Sequence, residues 1–287
     1  MSRVSTAQLL RLADEIGERD RAVVQVVAKL RLMSHAQLAS LLDPLHPHAT
    51  VASTARAIRR TLAQLTRLGV LARLDRRVGG VRAGSAGYIY YLGPVGQRLV
   101  AYWDGRGLVR GRFRPEPGGR YVRHRLAVSE LYVQLRAADR QGELDLLSFD
   151  AEPDCWRRYL DGFGGSVLLK PDAYVAVGVG AYEERCFVEV DLGTESRSVI
   201  AMKVRSYLDY FHAGVEQAAS SVFPRVLLLT NTEVRRAALV EVVTRLSAEG
   251  WDLFTVAMLD RALEVISGQV VAAHDESHHD GVSCESA

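Results

Sequence analysis

The tightest constraint on this chain lies between Lys170 and Asp191, in KPDAYVAVGVGAYEERCFVEVD. Two runs rich in valine and aromatic residues flank a glycine-containing turn, which predicts a β-hairpin. Asp172 opens the first run, and Glu189 and Asp191 close the second. With the turn centred on GAYE, Asp172 faces Asp191 and Tyr174 faces Glu189. Side chains alternate along a strand, so Glu189 and Asp191 share one face and Val188 and Val190 take the other. Asp172 joins the acidic face in this register, and like charges set opposite each other are destabilising. Such a cluster calls for a counter-charge, a raised pKa or a bound cation. A magnesium or manganese ion held by Asp172, Glu189 and Asp191 with several waters satisfies it. Lys203, four residues from both Val199 and Tyr207 on a predicted helix, sits beside that helix's packed face and adds positive charge. The alternative is a wet strand end whose acids point into solvent.

The flanking segments set the hairpin in a larger sheet. YVRHRLAVSELYVQLRAADRQG reads as a helix and ELDLLSFD as a strand, with a Gly-rich, charged loop over 151–166. After the hairpin come a helix, SRSVIAMKVRSYLDYFHAG, a buried strand, RVLLLTN, a helix, TEVRRAALVEVVTRLSAEG, and a strand, WDLFTVAML. Three strands in sequence predict an antiparallel meander, and the later strands, alternating with helices, predict parallel additions.

The N-terminal half has another grammar. Asp20 is placed to cap a helix through RAVVQVVAKLRLM, and Ser34 to cap HAQLASLL. The prolines of DPLHPH break the chain, and TVASTARAIRRTLAQLTRLG predicts a third helix stopped by Gly69. Its apolar stripe is Ala55, Ile58, Leu62, Leu65 and Leu68, while Arg56, Arg59, Arg60 and Arg67 lie largely off it. VLARLDRR, a glycine-rich tip bearing Arg82, and YIYYL then predict a two-stranded wing. Three helices and a basic hairpin make the pattern of a winged helix-turn-helix, whose third helix enters the DNA major groove. Arg56, Arg59, Arg60 and Arg67 on that helix, with Arg73, Arg76, Arg77 and Arg82 in the wing, are the candidate contacts to double-stranded DNA. A short helix near 95–102 and a basic Gly/Pro linker follow.

Charge supports this division. Residues 50–125 carry sixteen arginines against Asp75, Asp104 and Glu116, whereas residues 126–287 carry 14 basic and 26 acidic side chains. A basic half joined to an acidic half points to a polyanionic partner for the first. The absence of a long apolar run argues against a membrane span, and three scattered cysteines argue against a disulfide framework or structural zinc, so a reducing cytoplasm is expected. HDESHHD near the C-terminus is expected to be a disordered polar tail.

KPD followed by FVEVD, in this order of helices and strands, resembles the PD-(D/E)XK nuclease superfamily. The resemblance implies that Asp172 and Glu189 bind magnesium and that a lysine assists the attacking water. Residue 191 is Asp where that pattern has lysine, so Lys203, from the following helix, is the candidate replacement. Glu130, on the helix before the sheet, matches a place where such nucleases carry an extra acid. At the level of the whole chain, RDRAVVQVVAKLRLMSHAQLASLL, TARAIRRTLAQLTRLGVLARLDR, HRLAVSELYVQL, LKPDAYVAV and EVDLGTESRSVIAMKVRSY resemble the replication-relaxation family. That resemblance implies DNA binding tied to plasmid or mobile-element replication or transfer. The expected organisation is an α+β or α/β protein: a winged helix-turn-helix over 1–104, a linker over 105–120, a nuclease-like mixed-sheet domain over 121–267, and a tail over 268–287. Two functions stay open. One is a metal-dependent DNA nuclease or nickase aimed by the winged helix. The other is a non-catalytic DNA-binding accessory or transcriptional regulator, whose second domain dimerises or recruits replication or transfer proteins.

Overall fold

The computed structural model describes residues 4–42, 51–74, 87–109, 118–246 and 253–268. The chain is a mixed α/β protein that divides into two compact units, Met1–Ala137 and Ala138–Ala287.

The first unit opens with a helix that the sequence pattern does not predict, α1 (Thr6–Glu15), closed at its start by a reciprocal pair of bonds between Ser5 and Gln8. Helix α2 (Glu18–Leu30) begins after Gly17 rather than at Asp20, which instead lies in the acidic first turn. It buries Val23, Val24, Val27 and Leu30. Strand β1 (Met33–Ser34) leads into α3 (His35–Leu42), and Ser34 caps it as expected: its Oγ accepts from Gln37 N at 3.2 Å. Helix α4 (Val51–Arg67) buries Ile58, Leu62 and Leu65 and leaves Arg56, Arg59, Arg60 and Arg67 exposed. Strands β2 (Leu71–Arg73) and β3 (Ile89–Leu92) pair antiparallel, and β1 adds to β3, giving the order β1-β3-β2. Helix α5 (Pro94–Trp103) starts on a proline and packs so closely that a Cβ on Gly96 would stand 2.2 Å from the Val70 carbonyl oxygen. Helix α6 (Gly119–Gln141) runs on into the second unit. Its buried Arg125 donates to Leu30 O, Ser129 donates to Leu32 O, and Gln37 reaches from α3 to Leu126 O. The loop DPLHPH, the wing tip with Arg76, Arg77 and Arg82, the linker arginines Arg110, Arg112 and Arg114, and the C-terminal HDESHHD lie outside the described residues.

The second unit is built on a five-stranded sheet of β4 (Asp145–Ala151), β7 (Ala173–Val179), β8 (Tyr182–Asp191), β9 (Arg225–Thr230) and β10 (Phe254–Met258), in the order β10-β9-β8-β7-β4. Strands β4, β7 and β8 form the antiparallel meander, and β9 and β10 join in parallel. Helices α7 (Arg197–His212) and α9 (Glu233–Leu246) bury Ile200, Val204, Tyr207, Leu239 and Val243 with Phe187, Val226, Leu228 and Phe254 of the sheet. Beyond the expected elements are α8 (Val215–Ser220), a 3-10 turn over Leu259–Arg261 and α10 (Ala262–Ile266).

Two expectations are corrected. The segment 151–166 is not simply a loop: β5 (Arg157–Leu160) pairs with β6 (Ser166–Leu169) as a separate small hairpin. The β7–β8 turn is also tighter than GAYE. Val179 pairs with Tyr182 across Gly180 and Ala181, and Gly180 takes the left-handed φ of +59° that a two-residue hairpin turn needs. Pairing therefore slips by two residues, so that Tyr174 faces Phe187 rather than Glu189, and Asp172 comes level with Glu189 rather than Asp191.

Candidate functional site

The slip leaves the end of β8 projecting beyond β7, and Asp172 fills the gap. Its backbone N–H donates to Val188 O, and its carboxylate accepts the Val190 N–H at 2.8 Å. Glu189 lies on the face covered by α7, because it follows Phe187 at the strand's two-residue repeat. Both of its oxygens are engaged there: Tyr207 donates to one at 2.7 Å and Lys203 to the other at 2.8 Å. Lys203 and Tyr207 are four apart on α7, so one helical face delivers both donors. Lys203 also pairs with Glu195 at 3.1 Å. Asp172, Glu189 and Asp191 are all buried.

Asp191 has another partner. Arg235, in the first turn of α9, donates Nε to its carboxylate at 2.7 Å and also reaches the Glu195 carbonyl. The Gly193 N–H donates to Asp191 as well. Glu130 belongs to the first unit, where it accepts from Gln37 Nε2 at 2.9 Å. Lys170 places its ammonium over the Trp156 ring. Among the described residues, no three His, Cys, Asp or Glu side chains form a ready metal-ligand group.

The charges explain the arrangement. Burial, then the neighbouring Asp172, pushes Glu189 up to about 7, against the opposing pull of Lys203. Burial alone would depress Lys203, but Glu189, Asp172 and Glu195 outweigh it and hold the ammonium above its ordinary value. Burial and Glu189 together raise the Tyr207 hydroxyl well above the usual phenol range, so it stays a donor. The high Glu189 pKa expresses the cost of keeping a buried carboxylate charged beside Asp172, a demand for positive charge beyond what Lys203 supplies to Glu189. A proton meets that demand, and so does a cation. Magnesium is commonly held by one or two carboxylates and several waters. Asp172 and Glu189 fit that donor set, and Asp191 is held by Arg235.

Tyr207, Arg235 and Glu195 are site residues that the sequence pattern alone does not single out. Tyr207 carries a signal, its four-residue step from Lys203. Arg235 carries a weaker one: it lies just past the carboxyl end of a parallel strand, where sites gather in such sheets. Glu195 carries none.

A mixed sheet with buried acids at one end of its central strand, joined in the same chain to a helical unit with an arginine-faced helix, defines a two-unit α/β protein with a charged centre in the second unit. Residues 24–226 match the replication-relaxation family, and the chain belongs to that family. No curated protein and no solved structure matches it. Among the described residues, no helix is long and apolar enough to cross a membrane.

Proposed function

We propose that the protein binds double-stranded DNA through α4 and the β2–β3 wing of a winged helix-turn-helix, and cleaves or nicks a phosphodiester at the Asp172–Glu189–Lys203 centre of a nuclease-like second unit. The observation that carries DNA binding is a contrast between α4 and most arginines of the second unit. In the second unit, Arg157, Arg185, Arg225, Arg235, Arg236, Arg245 and Arg261 each pair with a carboxylate. On α4, the exposed Arg56, Arg59, Arg60 and Arg67 have no carboxylate partner among the described residues, although each has a forked donor suited to phosphate or guanine. Arg73, at the base of the wing, stacks its guanidinium over Tyr88 at 4.5 Å. The order helix, strand, two helices, two strands supports the winged-helix reading.

Replacing Arg56, Arg59 and Arg60 together with alanine is expected to weaken binding to every duplex. The slope of log affinity against log salt should flatten by about one unit for each phosphate that is no longer neutralised. A fluorescence anisotropy titration at several salt concentrations checks this. Wild-type affinity and slope in the triple variant would remove α4 as the DNA-contacting helix.

For cleavage, the carrying observation is the pair of buried carboxylates, Asp172 and Glu189, at the end of β8 with the Lys203 ammonium beside them. Magnesium or manganese bound there supplies water activation and neutralises charge on the phosphate. The protein's own part is to hold the two carboxylates level at the end of β8 and to place Lys203 beside them as a proton donor or phosphate contact. The non-catalytic reading also has an observation in its favour. Both Glu189 oxygens are already occupied by Lys203 and Tyr207, so the cluster is internally bonded without any ligand.

A further inference from the structure

The β5–β6 hairpin carries a feature that packing does not require. Phe163, at its tip, is 101% exposed. The tip is nevertheless firmly built. Asp161 accepts the N–H groups of Phe163 at 2.9 Å and Gly165 at 2.7 Å through one carboxylate oxygen, and its own backbone bonds Gly164 and Gly165. An Asx turn of this kind fixes the loop and holds an aromatic ring out in water.

The two faces of the hairpin differ. The inner face is used up by packing: Tyr159 and Leu169 lie in the core, and Arg157 is held by Glu216 over the Tyr174 ring. The outer face alternates to Trp156, Arg158, Leu160, Leu168 and Lys170. Arg158 is bonded to Ser166, and Lys170 lies over Trp156. Neither cation has a carboxylate partner among the described residues. This face therefore offers two cations, Arg158 and Lys170, beside one aromatic ring, Trp156, and the exposed Phe163 ring stands at the tip. Cations next to an exposed ring are what binds a nucleic acid strand through its phosphates and unstacked bases.

The hairpin is also tied to the charged centre. From β6 the chain runs through Lys170 and Pro171 straight into Asp172. At the other root, Cys155 Sγ donates to Pro171 O at 3.0 Å and Glu152 N to Asp172 O.

We propose that the β5–β6 hairpin is a strand-contacting arm of the centre, in which Phe163 stacks on an unpaired or flipped-out base while Arg158 and Lys170 hold the flanking phosphates. This rests on the DNA-binding reading above and adds the form of DNA the second unit takes, a locally unpaired strand rather than an intact duplex.

The test uses the full chain and two fluorescein-labelled probes, a paired duplex and the same duplex with an unpaired bulge carrying 2-aminopurine. Wild type is expected to bind the bulged probe more tightly and to quench the 2-aminopurine by stacking. Phe163→Ala should cost about tenfold on the bulged probe, abolish the quenching and leave the paired duplex unaffected, whereas Phe163→Trp should retain both. Because Phe163 is wholly exposed, its replacement does not disturb the core. Equal binding of the bulged probe by wild type and Phe163→Ala overturns the proposal while leaving the α4 reading intact. A change of sedimentation coefficient in Phe163→Ala with DNA binding unaltered also overturns it, and marks the tip as a self-association surface. Wild type binding neither probe sinks the DNA-binding reading and the arm together.

Discussion

Lys203→Met is expected to destabilise the second unit by about 3 kcal/mol near pH 8, because removing one partner of a buried ion pair strands the other charge. Glu189 and Asp172 would then lie beside each other without the Lys203 ammonium, although the Tyr207 hydroxyl still donates to Glu189 and the Val190 N–H to Asp172. The destabilisation should depend on pH. In the wild type, the folded-state pKa of Glu189, about 7, lies above the ordinary carboxyl value. Its protonation therefore favours the folded state: that contribution is full below the unfolded value of about 4.3 and is lost as pH rises through 7. Without Lys203 the folded value climbs further, so the window extends upward. The variant's deficit should be largest above pH 7 and shrink by half or more near pH 5, where Glu189 is protonated and a single buried charge remains. Urea unfolding at the two pH values measures it. A deficit that is the same at both would mean that Lys203 contributes through its aliphatic stem rather than its charge.

Arg235→Met is expected to be about as costly, again about 3 kcal/mol, since it strands the buried Asp191. Arg235 joins the first turn of α9 to the end of β8 and to the Glu195 carbonyl, so its removal should also loosen the 192–196 segment that carries Lys203's second partner. Asp191→Asn should cost less, because Arg235 keeps its bond to Glu195. The double variant should recover part of the deficit of the single Arg235 variant, and the coupling is read from a double-mutant cycle of denaturation free energies. Function separates the roles further. An Asp191 that braces the site leaves metal-dependent cleavage in place when changed to Asn, whereas one that ligates the metal abolishes it.

What is legible in the sequence follows from local periodicity. The stripe through Ile58, Leu62 and Leu65 reads as the buried face of a helix because apolar residues recur three or four positions apart from Ala55 to Leu68. The order of strands is legible because a meander followed by helix–strand repeats leaves few topologies. Lys203 is expected beside the acids from its spacing to Val199 and Tyr207, and the structure sets its ammonium 2.8 Å from Glu189. Three things are not legible, for different reasons. The hairpin register turns on whether the run around Gly178 and Gly180 closes in two residues or four, which the strand pattern on either side does not decide. β5 and β6 are four residues each, and only Tyr159 is buried on β5, so no alternation stands out against their charge. The Asp191–Arg235 pair spans 44 positions and depends on which helix N-terminus meets the strand end. The same pair explains why a buried acid is tolerated at the end of β8: the cation that neutralises it comes from α9.

The most direct test of a cleavage centre is a supercoiled-plasmid assay with purified full-length protein. With magnesium or manganese present, wild type is predicted to convert supercoiled plasmid to the nicked circle. Chelation should stop the reaction, Asp172→Asn should abolish it while duplex binding persists, and Asp191→Asn should retain it. Plasmid that stays supercoiled with either metal, under conditions where wild type binds the DNA, would contradict a cleavage centre at Asp172 and Glu189 and leave the second unit as a non-catalytic platform on a DNA-binding protein.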